Sequence, residues 1–213
     1  VSQTQPGTLF ISALIDPYES FRSTCEGGIY RSQDFGSTWQ RIGLEGYFLV
    51  GGAEESFAVG GMDNNYIYAT ASTKSYTEPD VVFGLYMSPD GGATWNRVKD
   101  RCTLILTKPN DGMEIYCYNP GMGYPEVSFD AGINWNSLRP TDTSTFQSIS
   151  LYRSGNLILL GGDGLFGSYD NGKNWRTFSS GLGARRLELK FHAQGTGSIF
   201  LQDDNLLTIW LCV

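Results

Sequence analysis

The sequence predicts an all-β protein made of repeated antiparallel units. Three observations carry that expectation: a short pattern that recurs four times, strand-like segments at fixed offsets around each copy, and a composition suited to turns. The pattern is S-x-D-x-G-x-[T/N]-W, and it runs over residues 32–39, 88–95, 128–135 and 168–175. The last three copies begin forty residues apart, at Ser88, Ser128 and Ser168, while the gap from Ser32 to Ser88 is longer. A fixed period of this size marks a repeat architecture, in which each supersecondary unit buries its apolar face against the next. The 213 residues include 27 glycines, 14% are aromatic, and no amphipathic helix of useful length can be read in the chain.

Each copy reads as a turn between two strands. Ile29-Tyr30-Arg31, Leu85-Tyr86-Met87, Val127 and Leu165-Phe166-Gly167 enter the pattern; the segments starting at Trp39, Trp95 and Trp175 leave it. Within the turn, Asp is expected to accept hydrogen bonds from N–H groups two residues on, and Gly to take a positive φ. The Trp is expected to bury its ring as an anchor, with the indole N–H seeking a partner. Aligning on the copies gives second strands at residues 9–15, 66–72, 113–118 and 156–160, rich in β-branched and aromatic residues. First, innermost strands fall at 57–61, 103–107, 148–152 and 187–191. Residues 197–201 and 206–212 make a fifth unit without the pattern, with Trp210 in the place of its anchor. The first unit lacks an evident first strand and the fifth an evident fourth.

The four copies resemble the Asp box, or BNR repeat, of β-propeller proteins, found in sialidases, sortilin-type receptors, xyloglucan-degrading enzymes and photosystem assembly factors. The resemblance implies a blade with the box between its third and fourth strands. The expected fold is therefore a small β-propeller forming one domain over residues 1–213. Five blades closed by the termini are expected, since closure removes exposed strand edges. Four blades plus a terminal hairpin, or an open arc completed by a partner chain, are the alternatives. In those families the box is structural and lies away from the catalytic face. By that resemblance Asp34, Asp90, Asp130 and Asp170 hold turns and bind nothing, and Trp39, Trp95, Trp135 and Trp175 anchor them. One carboxylate per turn supplies too few oxygens for a dedicated calcium site.

Composition narrows the function. The net charge is −7, with 15 Lys and Arg against 22 Asp and Glu, and the basic residues are scattered apart from Arg185-Arg186. No phosphate-tracking basic face is expected, which argues against nucleic acid. No apolar run reaches the ~18 residues of a membrane-spanning helix. The polar start, Val1 to Gln5, does not read as a secretory hydrophobic segment. Four cysteines, Cys25, Cys102, Cys117 and Cys212, form no C-x-x-C pair, and His192 is the single histidine, so neither a zinc site nor a cofactor is expected. Cys102 and Cys117 sit on consecutive expected strands. Cys25 and Cys212 would approach each other at the seam of a closed ring. Two disulfides and four buried thiols are both open at this stage. No N-x-[S/T] acceptor is present, which argues against a eukaryotic secreted protein. An extracellular or virion-associated place is expected over a membrane one.

In a four-stranded meander the 2–3 connections emerge opposite the 3–4 turns. Here they are the irregular segments 16–22, 74–80 and 119–124, and short ones at 161–164 and 203–205. Loops varied on a rigid scaffold are where binding usually sits. Tyr18, Phe21, Arg22, Tyr76, Glu78 and Tyr124 are the candidate ligand-binding residues, because aromatic rings with a few charges suit a sugar or a protein anchor. The expected function is a non-catalytic recognition or assembly module for protein or glycan. Alternatives are a structural component of a phage or virus particle and a glycoside hydrolase. No enzyme is expected: G-x-S-x-G, H-E-x-x-H and phosphate-loop patterns are absent, and His192 reads as a satisfied histidine. The Arg-Ile-Pro segment of sialidases is missing, with Arg139-Pro140 the only Arg-Pro, and no spacing singles out a carboxylate pair among Glu19, Glu78 and Asp80.

Overall fold

A computed structural model of the chain describes residues 5–13, 28–45, 47–49, 57–60, 65–72, 83–102, 106–108, 111–119, 121–140, 150–154, 156–161, 164–178, 187–191, 198–203 and 208–212. Among them every regular element is a strand. Sheet 1 holds β1 (Leu9–Ala13), β2 (Gly28–Ser32) and β3 (Gln40–Gly43). Sheet 2 holds β4 (Phe48–Leu49), β5 (Phe57–Gly60), β6 (Tyr66–Ser72), β7 (Gly84–Ser88) and β8 (Asn96–Asp100). Sheet 3 holds β9 (Leu106–Lys108), β10 (Asp111–Asn119), β11 (Tyr124–Ser128) and β12 (Asn136–Ser137). Sheet 4 holds β13 (Ser150–Ser154), β14 (Leu157–Gly161), β15 (Leu165–Ser168) and β16 (Arg176–Thr177). Sheet 5 holds β17 (Leu187–Phe191), β18 (Ser198–Asp203) and β19 (Thr208–Cys212).

Apart from β4, which lies beside β6, neighbours in sequence are neighbours in each sheet, in the orders β1-β2-β3, β4-β6-β7-β8 with β5 also beside β6, β9-β10-β11-β12, β13-β14-β15-β16 and β17-β18-β19. This is an antiparallel meander, the arrangement that short turns permit. Every copy of the repeated pattern joins the last two strands of its sheet. One element differs from the sequence reading. In sheet 2 the inner position beside β6 is filled by two pieces: β4 pairs Phe48 with Ser72 and Leu49 with Ala71, and β5 pairs Phe57 through Gly60 with Ala69 through Tyr66. Residues 50–56 between the pieces help to lengthen the first repeat.

The chain divides into two compact units, Val1–Gly121 with Glu126–Asn136, and Met122–Pro125 with Ser137–Val213. In the first unit, β6 is buried on both faces. Successive strand residues point to opposite faces, so Ile67, Ala69 and Ala71 join Ile29, Ile42, Leu44 and Tyr86 in one core, with Phe10, Tyr47 and Trp95 packed against it. From the other face Tyr68 joins Leu85, Cys102, Ile115 and Cys117 in a second core. Each fully buried aliphatic side chain of this kind stabilises by about 1.5–3 kcal/mol relative to exposure. In the second unit Leu138, Ile158, Leu160 and Leu165 are buried.

A steric relation recurs between successive sheets. A methyl group placed on Gly92 would lie 2.6 Å from Ile42 Cβ, and one on Gly132 would lie 3.0 Å from Val98 Cβ. On Gly172 it would come closer still to Leu138 Cδ2. Ile42, Val98 and Leu138 each stand three residues after the Trp of one copy, and each fills the space above the Gly of the next. Trp95 adds a polar tie, donating its indole N–H to the Ile42 carbonyl at 3.0 Å. Gly36 of the first copy meets, among the described residues, only its own sheet: Leu9 Cδ1 at 3.5 Å and Trp39 Cζ2 at 3.6 Å.

Substitution should separate the two situations. Gly36→Ala is expected to cost about 1 kcal/mol, the strain of a left-handed backbone at φ 89°. Gly92→Ala carries similar strain plus an overpacked contact and should cost roughly 2–4 kcal/mol. Urea denaturation of both variants measures this, and equal losses would dismiss the steric fit.

Candidate functional site

The four turns are built alike, and the serine does work that the sequence reading assigned to the aspartate. Ser32 Oγ accepts the N–H of Gly36 at 2.8 Å and that of Asp34 at 3.3 Å, and donates its own proton to Asp34 Oδ1 at 2.8 Å. Ser88, Ser128 and Ser168 repeat these bonds. The carboxylate reaches four residues on rather than two. Asp34 Oδ1 accepts the Thr38 N–H at 2.8 Å and Oδ2 accepts the Thr38 hydroxyl at 2.6 Å. Asp90 holds Thr94 in the same way, and Asp130 and Asp170 hold the N–H and side-chain amide of Asn134 and Asn174. This explains why the seventh position is Thr or Asn: each carries a side-chain donor for the second carboxylate oxygen.

Two successive residues in each turn have positive φ: Phe35-Gly36, Gly91-Gly92, Ala131-Gly132 and Asn171-Gly172. In three of the four, the first residue turns its N–H back towards the second strand, Phe35 to Gly7 O at 3.0 Å, Gly91 to Asn65 O at 2.8 Å and Ala131 to Met113 O at 2.9 Å. The indoles are less buried than expected, with Trp39 40% exposed. Trp135 and Trp175 donate to the carbonyl of their own turn glycine, Gly132 at 3.0 Å and Gly172 at 2.9 Å.

These bonds stabilise the ionised carboxylates. Asp34 is lowered from 3.8 to about 2, chiefly by the Thr38 hydroxyl and N–H. Asp90 falls to about 2 through the Thr94 hydroxyl, and Asp170 to about 2 through the Asn174 backbone N–H. Asp130 is lowered by the Asn134 N–H. Among the described residues no group of three or more His, Cys, Asp and Glu is placed to hold a metal ion.

Of the candidate binding residues, Tyr18, Phe21, Arg22, Tyr76 and Glu78 lie outside the described residues, as do Cys25 and His192. Tyr124 is described. It opens β11 instead of lying in the loop, and Asn119 closes β10, so the 2–3 connection is tighter than the sequence reading. Asn119 Oδ1 accepts the Gly121 N–H at 3.0 Å, a side-chain bond that folds the connection back. Tyr124 is half-buried, and the exposed Arg139 sets its guanidinium carbon 5.4 Å from the ring centroid. An exposed cation–π contact of this kind is worth about 0.5–1 kcal/mol. Met122, on the same connection, is 50% exposed. Arg139 and Met122 were not among the sequence candidates; only the Arg139-Pro140 dipeptide had drawn notice.

Two buried carboxylates lie elsewhere. Glu114 accepts the Tyr116 hydroxyl and pairs with Lys108 Nζ at 3.2 Å, and the residue is 3% exposed. Glu126 pairs with Lys99 Nζ at 3.0 Å, and the same ammonium lies 4.4 Å from the Trp135 ring centroid. Both are occupied by partners of the protein itself. Burial pushes the Tyr68 phenol well above its ordinary value, and its hydroxyl donates to the Gly112 carbonyl at 2.5 Å.

No protein-family model and no curated protein sequence matches the chain. Solved structures do. YCF48 bound to D1 peptide superposes with a TM-score of 0.57 at 18% identity, over 88% of this chain and 59% of that one. The GH74 enzyme of Niastella koreensis gives 0.55 at 19%, over 83% of this chain and 25% of that one. YCF48 from Cyanidioschyzon merolae gives 0.54 at 17%, over 98% and 64%. The chain thus spans a quarter of the GH74 enzyme and under two thirds of either YCF48 chain. At these identities the likeness shows the fold, which is of the β-propeller type.

The lowered carboxylates set an acid limb. A group whose folded pKa lies below its unfolded value stabilises the fold above about pH 4, and that contribution is lost as pH falls towards 2. Asp90→Asn is expected to lower the urea midpoint at pH 6 and to flatten its decline between pH 5 and 2. An unchanged slope would show that Asp90 does not titrate with folding.

Proposed function

We propose that this chain is a non-catalytic β-propeller module of the Asp-box type that recognises a protein partner through its 2–3 connections. In this reading the five sheets are blades of one ring forming a single domain, and the box aspartates and tryptophans are structural. The observation that carries the reading is a group of three side chains at the β10–β11 connection: the exposed Met122 on the connection, the half-buried ring of Tyr124 that opens β11, and the exposed Arg139, which follows β12 and sets its guanidinium over that ring. Aromatic residues, Arg and Met are enriched in protein interfaces, and Met adapts to irregular partner surfaces. The YCF48 structure with a bound D1 peptide supports the choice of a protein ligand over a glycan. Tyr18, Phe21, Arg22, Tyr76 and Glu78 are proposed to complete the face. The absence of catalysis is proposed on the state of Glu114 and Glu126, which are sequestered by Lys108 and Lys99.

The test is a surface-displayed peptide library selected on the whole chain, with affinities then measured for the wild type and for variants. Tyr124→Ala is expected to weaken the selected peptides at least about tenfold, as truncation of an anchor does. Tyr169→Ala, which removes an exposed ring from the fourth Asp-box turn, should leave affinity unchanged. The reverse pattern would place recognition on the turn face. Incubation with xyloglucan is expected to release no reducing sugar, and turnover would replace this reading with a glycoside hydrolase.

A further inference from the structure

Cys102 follows β8 at the outer end of sheet 2, and Cys117 lies in β10, the second strand of sheet 3. Both are wholly buried and neither is in a disulfide, and both belong to the core that also contains Tyr68, Leu85 and Ile115. The Cys117 side chain lies against the Cys102 thiol in that core. A core position needs one apolar residue for packing; two thiols facing each other across two sheets supply the atoms of a covalent staple.

We propose that Cys102 and Cys117 are a disulfide-forming pair that closes on thiol–disulfide exchange with a low-molecular-weight disulfide and ties sheet 2 to sheet 3. In the first step the Cys117 thiol loses its proton to solvent and its sulfur attacks one sulfur of the reagent disulfide. The reagent S–S bond breaks, a mixed disulfide forms on Cys117, and one reagent thiolate leaves and takes up a proton. In the second step the Cys102 sulfur, losing its proton, attacks the Cys117 sulfur and expels the second reagent thiol. Two cysteine thiols are oxidised, one reagent disulfide is reduced to two thiols, and the two protons end on those thiols. The roles of Cys102 and Cys117 are interchangeable once this region is unpacked, and either order gives the same product. Since both sulfurs are wholly buried, exchange takes place while this region is unpacked, during folding or in a local opening. Closing a loop of roughly 15 residues restricts the unfolded chain.

The experiment is refolding of the full chain from urea in a buffer of reduced and oxidised glutathione, followed by alkylation, intact mass and peptide mapping. The expected result is loss of two hydrogens, a cross-linked peptide joining Cys102 and Cys117, and alkylation of both after reduction. The link should persist in the Cys25→Ser/Cys212→Ser variant. The oxidised protein should melt roughly 5–10 °C above the same sample in dithiothreitol. Folded protein never exposed to urea should oxidise more slowly than refolding protein. Alkylation of Cys102 and Cys117 after refolding in the glutathione buffer, or linkage of either to another cysteine, would overturn the proposal.

Discussion

Among the described residues, sheets 1 to 4 meet in turn where a glycine leaves room for one aliphatic side chain. Gly92 over Ile42, Gly132 over Val98 and Gly172 over Leu138 are the same fit with three different side chains. Much else in the repeat serves to present that glycine at the right height. A close-packed interior transmits small changes of volume, so a turn displaced by a fraction of an ångström would open a void or force a clash. The Ser and Asp of each copy prevent that displacement by satisfying the turn's N–H groups from within, and the indole braces its outer side.

The motif divides its labour between two oxygen-bearing residues. The serine hydroxyl caps the tip of the turn and points the carboxylate; the carboxylate then fixes the strand that leaves it. The one variable position at the tip shows how much latitude remains. Gly91 takes its left-handed backbone freely and Asn171 tolerates it, whereas Phe35 and Ala131 adopt it at a cost of about 1–2 kcal/mol. In both costlier copies the N–H of that residue is bonded back to the second-strand segment, Phe35 to Gly7 O and Ala131 to Met113 O, which offsets part of the strain.

The turns were legible in the sequence because the Ser, Asp, Gly and Thr or Asn that bond one another lie within eight residues, although the division of work between Ser and Asp and the bonds back to Gly7, Asn65 and Met113 were not. The long middle strands were legible too: β6 and β10 are rich in β-branched and aromatic residues over seven or more positions. The two-residue β4 was not, since Phe48-Leu49 carries no period and pairs with a strand more than twenty positions away. The sheet-to-sheet fit left a trace that local propensity does not interpret: Ile42, Val98, Leu138 and Phe178 all stand three residues after a tryptophan of the repeated pattern. Tyr124 was read from the sequence as part of the connection, and it opens β11 because the Asn119 side chain folds the connection back early. Its companion Arg139 was not legible, because the two meet only after β11 and the fourth strand have been laid side by side.

Because the forty-residue segments from Ser88 to Ser128 and from Ser128 to Ser168 each carry both a cleft and the side chain for a neighbour's cleft, such a segment is interchangeable at the level of the gene. An in-frame duplication or deletion of such a segment would leave every remaining glycine facing an aliphatic partner, since Ile, Val and Leu all serve. Chains of this kind are therefore free to change length by whole sheets in single genetic steps, with the surface connections drifting independently of the seams.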